Sequence, residues 1–169
     1  VTIFDKKVPQ TIDNLPFLHL KRVHDRDASL LGGLKKAIRL TKNVKNDSEN
    51  ESSAAKLPSF DIAALLYHAD QDALLAGCVY ELTILSETQR FFDWCYANQS
   101  AAKALRTPDG SRAILDTEGK MEGLLTISCE LDKLAKDVAT EQLGASRSGE
   151  PSLTEVDDLL RKARIPAAV

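Results

Sequence analysis

The chain has 169 residues, 43% hydrophobic and 28% charged, enough apolar content for one well-packed globular domain. Its formal net charge is −3, which argues against a general nucleic-acid coat or a binder of anionic membranes and makes any polyanion site local. The most apolar stretch, 61–85, is interrupted by Asp61, His68, Asp70, Gln71, Asp72 and Glu81 and does not suit a membrane span.

Residues 1–27 read differently from the rest. Val1–Phe4 and Phe17–Val23 have the look of two short strands, separated by a polar loop with Pro9, Asp13, Asn14 and Pro16. In the second strand, alternation would put His19 and Lys21 on one face. Two isolated strands are not stable in water, so they are expected to be the edge of a sheet continued upstream or by another copy, with homo-oligomer formation through that edge. No signal-peptide pattern opens the chain, and its start at valine points either to a processed start or to residues missing upstream.

From about Ala28 the periodicity is helical. A first helix is expected to about Asn46, with Gly32-Gly33 as its weak point, followed by a polar, acidic loop from Asn46 to Lys56. A second helix opens at Ser59 as its cap, with Phe60, Ala63, Leu66 and Tyr67 inward. A long third helix covers Asp72 to Leu105, and Thr107-Pro108-Asp109-Gly110 is a turn. A fourth spans Glu118 to Leu143. After a small-residue linker at 145–151, Ser152 and Glu155 form a capping box for a last helix ending near Ala163. The fold expected is mainly α: a bundle of about five helices over residues 28–169, with a two-strand remnant at 1–27.

Three cysteines, Cys78, Cys95 and Cys129, are odd in number and widely spaced, which points to buried filler in a reducing, cytoplasmic setting rather than to disulfides or zinc. Phe91-Phe92-Asp93-Trp94-Cys95-Tyr96 places Phe91, Phe92 and Cys95 on one core stripe. Trp94 points elsewhere, toward a neighbouring helix or, alternatively, toward a stacked base. Asp25 and Asp27 have metal-ligand spacing, but a helix-capping role suits them better.

The strongest chemical signal lies in the first helix. Lys35, Lys36, Arg39, Lys42 and Lys45 put five cations into eleven residues, with no acidic residue before Asp47. Lys35, Arg39 and Lys42 stand at i, i+4 and i+7, so their heads form a row beside the apolar seam of Leu34, Ala37, Ile38 and Thr41. Such a row suits a polyanion.

Ile38-Arg39-Leu40-Thr41-Lys42, followed after a loop by Ser59-Phe60, resembles the helical domain of polymerase-β-like nucleotidyltransferases, in the branch of poly(A) polymerase, oligoadenylate synthase and bacterial cyclic-oligonucleotide synthases. Pro108 to Arg112 and Gly119 to Leu124 extend the likeness. The resemblance implies that Lys42 and Ser59 contact the triphosphate of an NTP, with Arg39 and Lys35 as outer electrostatic helpers. It also implies that the strands at 1–27 belong to an upstream catalytic α/β sheet. Where relatives carry a second lysine one turn on, this chain has Asn46, and Lys45 falls one residue short.

The family's glycine-serine turn and aspartates are absent. Catalytic and metal residues are therefore assigned to none here, Mg2+ with NTP is expected on aspartates upstream of residue 1, and the chain alone is expected to be inactive. The acceptor is left open. The rival reading is a non-enzymatic helical module whose cationic row docks an acidic protein partner.

Overall fold

A computed structural model describes residues 2–5, 10–13, 15–144 and 151–163. Strands β1 (Thr2–Asp5) and β2 (Gln10–Asp13) pair antiparallel, with Thr2 opposite Asp13 and Asp5 opposite Gln10. The helices that follow are α1 (Pro16–Ser29), α2 (Gly33–Asn46), α3 (Glu51–Ala54), α4 (Ser59–Leu66), α5 (Gln71–Ala76), α6 (Thr83–Ala97), α7 (Gln99–Ala104), α8 (Glu118–Leu143) and α9 (Leu153–Lys162).

Two expectations are overturned. The segment Phe17–Val23 is the first half of α1, so the two-strand sheet remnant built on it does not exist, and the association edge expected there loses its second strand. Pro16 at the first helical turn favours the helix, and His19, Val23 and Asp27 bury at i, i+4 and i+8. The bundle of five helices becomes nine helices among the described residues.

The extra helices come from breaks that packing imposes. Leu31 (φ 50°) and Gly32 (φ 88°) take left-handed backbone and separate α1 from α2. The expected third helix is three, interrupted at 77–82 and at Asn98, whose side-chain amide donates to the Trp94 carbonyl at 2.9 Å and closes α6. The acidic loop at 46–56 contains α3, capped by Asn50. The predicted bounds of α8 match those observed, and the Ser152–Glu155 capping box is formed. Of the linker expected at 145–151, all but Pro151 lies outside the described residues.

The core runs between α6 and α8, with α2 packed on both and α9 laid across them. Leu34, Phe92, Leu124, Ile127 and Leu131 are fully buried there. Of the cysteines only Cys95 is buried, and burial pushes its thiol up to about 12; Cys78 and Cys129 are exposed, against expectation. No helix among the described residues is long and apolar enough to cross a membrane.

Gly33 opens α2 where the helix meets α5: a Cβ there would sit 2.2 Å from the Leu74 carbonyl oxygen. Alanine at a helical position ordinarily gains about 1 kcal/mol over glycine. Gly33→Ala is nevertheless expected to lose about 1–3 kcal/mol, because backbone must move to admit the methyl. Urea unfolding of the pair of proteins checks the sign.

Candidate functional site at the α2–α4 junction

The cationic row divides along α2. Lys35 is drawn into the α1–α2 junction: its backbone N–H donates to Asp27 Oδ1 at 2.8 Å, and its ammonium lies 3.1 Å from Asp27 Oδ2 and 3.0 Å from His24 Nδ1. Asp27, buried, thus serves the first turn of α2 from outside, while Asp25 pairs with Lys21. Arg39 is exposed, and Lys42 half-buried; neither has an ion-pair partner among the described residues. Lys45 reaches across to the Leu57 carbonyl at 2.7 Å, which ties the C-terminal half of α2 to the residues entering α4. Burial lowers the Lys45 ammonium below its ordinary value, and the positive charge of Lys42 lowers it further. Two cations are therefore held close enough to repel each other.

Ser59 is the first residue of α4 rather than its cap. That position belongs to Pro58, which offers no side-chain acceptor, so the exposed Ser59 hydroxyl sits at the positive end of the helix. It has no side-chain hydrogen bond among the described residues. Phe60 lies flat on His19 of α1, centroids 3.9 Å apart and 24° between planes, with the Arg112 guanidinium 5.7 Å from the Phe60 ring.

Asp61 is what holds this end of α4. It is fully buried, and it pairs with Arg112; the Lys120 ammonium lies 2.8 Å from its Oδ2 as an ion pair without hydrogen-bond alignment. Asp116 takes the other side of the same cations, 2.7 Å from Lys120 and 3.6 Å from Arg112, and Lys120 also donates to the Ile114 carbonyl at 3.1 Å. Two anions and two cations join α4, the loop after α7 and the start of α8. That loop is itself tied to α1. Arg22 donates to the Pro108 carbonyl, and Asp109 accepts from the Leu15 N–H at 3.1 Å. Burial pushes the Asp109 carboxyl up, but hydrogen bonds from Thr107, Ser111 and Leu15 outweigh it and bring it to about 2.

None of these anchors was picked out from sequence. The available signal was Asp61 itself, an acid opening the otherwise apolar run Ile62–Leu66; such a residue buries only with cations brought to it. His68 is exposed and bonded to the Arg106 carbonyl at 2.8 Å. Among the described residues, no three His, Cys, Asp or Glu side chains group to hold a metal ion.

Fold and junction together define an α-helical domain with an uncompensated cationic edge at a helix N-terminus. Residues 21–123 match the profile of the cGAS/DncV-like nucleotidyltransferase C-terminal helical domain, and the chain belongs to that family. It is 36% identical over 165 residues to a cyclic dinucleotide synthase CdnE of Yersinia aleksiciae, covering 98% of this chain and 43% of the relative. To a c-di-GMP synthase of Flavobacteriaceae sp. genome_bin_11 it is 26% identical over 146 residues, 85% of this chain and 40% of the relative. The solved structure of a STING-associated CdnE c-di-GMP synthase from Capnocytophaga granulosa superposes with a TM-score of 0.67 at 28% identity, over 79% of this chain and 43% of that one. The chain thus spans about two fifths of the length of these relatives.

Asp61→Ala leaves Arg112 and Lys120 without their buried anion and is expected to cost about 3–5 kcal/mol, read by denaturant unfolding. His19 gives a pH signature. Burial lowers it from its ordinary 6.5, with Arg112 adding to the effect and Asp109 and Asp61 opposing it, and its Nδ1 has no hydrogen-bond partner. The unfolded chain therefore takes up a proton that the folded chain refuses. The His19 contribution is fully present above 6.5 and is lost as pH falls through 6.5 toward the lowered value. A pH series of unfolding curves on the parent and on His19→Phe is expected to show a flatter slope below that point in the variant.

Proposed function

We propose that this domain forms the triphosphate-facing wall of a nucleotidyltransferase that joins nucleotides into a cyclic product, with Lys42 and Ser59 as the phosphate contacts. The observation that carries the reading is that, among the described residues, Lys42 on α2 has no ion-pair partner and the Ser59 hydroxyl that opens α4 has no side-chain hydrogen bond, on two helices that Lys45 clamps together. Lysine supplies a mobile point charge, and the first turn of α4 adds a hydroxyl and positive dipole. A triphosphate also relieves the repulsion between Lys42 and Lys45. Arg39 contributes attraction from one turn back. Lys35 contributes least, since Asp27 already neutralises it.

The similar proteins from Yersinia and Flavobacteriaceae are cyclic dinucleotide synthases, and the membership of this chain in their family supports the same reaction class in a full-length protein. There, Mg2+ with NTP would be held by aspartates of a nucleotidyltransferase core that these residues do not include. This chain contributes orientation of the leaving phosphates and no proton transfer. Family membership favours this reading over the docking of an acidic protein.

Titration of ATP with Mg2+ tests the contacts. Lys42→Ala is expected to weaken binding about tenfold or more, the effect of removing one charged phosphate contact, and Ser59→Ala by a smaller factor. Unchanged affinity in Lys42→Ala would remove the row from the site.

A further inference from the structure

At the opposite end of α4 from Ser59, a cleft of about 330 Å3 opens between His68, Asp70, Arg90, Phe91, Trp94 and Leu105. Its volume falls at the small end of the roughly 300–1,000 Å3 range of small-molecule sites. α4 has eight residues and is about 12 Å long at 1.5 Å per residue, so this cleft is separate from the α2–α4 junction.

The groups that line the cleft are held in place by their neighbours. The Trp94 indole is partly exposed and is backed by Phe91, whose ring stacks on it with centroids 5.9 Å apart and 15° between planes. Glu87 is buried. Its Oε1 accepts both from the Asp70 backbone N–H and from an Arg90 guanidinium nitrogen, each at 2.8 Å, and its Oε2 takes the Arg90 Nε at 2.6 Å. A single carboxylate therefore sets the positions of Arg90 and Asp70 side by side. Asp70 Oδ1 caps Ala73, which leaves Oδ2 as an acceptor, and the Arg90 Nη1 remains as a donor. The His68 Nε2 donates to the Arg106 carbonyl, so Nδ1 of the neutral ring is left as an acceptor.

An aromatic platform flanked by a carboxylate and a guanidinium matches one nucleobase. Guanine presents adjacent N1–H and N2–H donors and the O6 acceptor. Adenine puts an acceptor, N1, where guanine has N1–H, and a carboxylate there repels it. We propose that this cleft binds a free guanine nucleotide: the base stacks on Trp94, Asp70 Oδ2 accepts from N1–H, Arg90 donates to O6, and His68 Nδ1 accepts from a ribose hydroxyl. The site is distinct from the triphosphate contacts and does not depend on them.

Trp94 is the sole tryptophan of the sequence, so its fluorescence reports this cleft alone. GMP serves as the probe because it lacks the β- and γ-phosphates that Lys42 and Ser59 would hold. Titration of the 169-residue chain with GMP is expected to quench the indole saturably, with AMP at least about tenfold weaker through the lost charged hydrogen bonds. Asp70→Asn keeps a good helix cap on Ala73 but offers an amide in place of the carboxylate, and is expected to weaken GMP by a similar factor with the helical circular dichroism retained. Two results overturn the proposal: no saturable quenching by GMP, whether or not a guanine-bearing RNA strand quenches, or equal affinity for GMP and AMP in the parent protein. The GMP–AMP comparison uses the unaltered chain and so stands even where Asp70→Asn fails to fold.

Discussion

The charge cluster at Asp61 is the constraint on which the rest of this domain depends. A carboxylate taken fully out of water costs several kcal/mol, and an interior position is tolerable only where cations converge on it. Arg112 and Lys120 come from distant parts of the chain, one in the loop after α7 and one in the first turn of α8. Asp116 completes a neutral set of four. Satisfying one buried acid therefore fixes three segments relative to one another. Because the loop also grips Leu15 and Arg22, the start of α1 is fixed as well.

Function follows from what this anchoring leaves free. With Asp61 turned inward, Ser59 is carried to the surface at the open end of α4, and Phe60 is pressed between His19 and Arg112. Lys45 gives up its ammonium to the Leu57 carbonyl and brings α2 alongside. Among the described residues, Lys42 is left with a like charge near it and no paired acid. An arrangement that spends one lysine on architecture and leaves the next unpaired fits the family to which the chain belongs, in which the helical domain accompanies a nucleotidyltransferase.

Much of this was legible from residues, and the failures have physical causes. The bounds of α8 were readable because an unbroken 3.6-residue period runs from Thr117, which caps it, to Leu143, and α9 because Ser152 and Glu155 satisfy each other locally. Phe17–Val23 was misread because Leu18, Leu20 and the polar residues between them also alternate with a period of two. The deciding contacts, His19 against Phe60 and Asp109 against Leu15, are distant in sequence. The long third helix breaks at 77–82, and Ile84 packs into the room that Gly77 leaves, a contact that no local propensity reveals. In the candidate site, the cationic helix and Ser59 were visible as composition and resemblance. The partition of the row was not, since it rests on Asp27 and Leu57 reaching Lys35 and Lys45 across the fold.

The central claim is that phosphate, rather than base or ribose, is what the α2–α4 junction recognises. Amide chemical-shift mapping of the chain with ATP and, separately, with adenosine tests it most directly. The account predicts that ATP moves the amides of residues 41–46 and 59–61 and that adenosine leaves them in place. Equal shifts from adenosine, or ATP shifts confined to other helices, would contradict it.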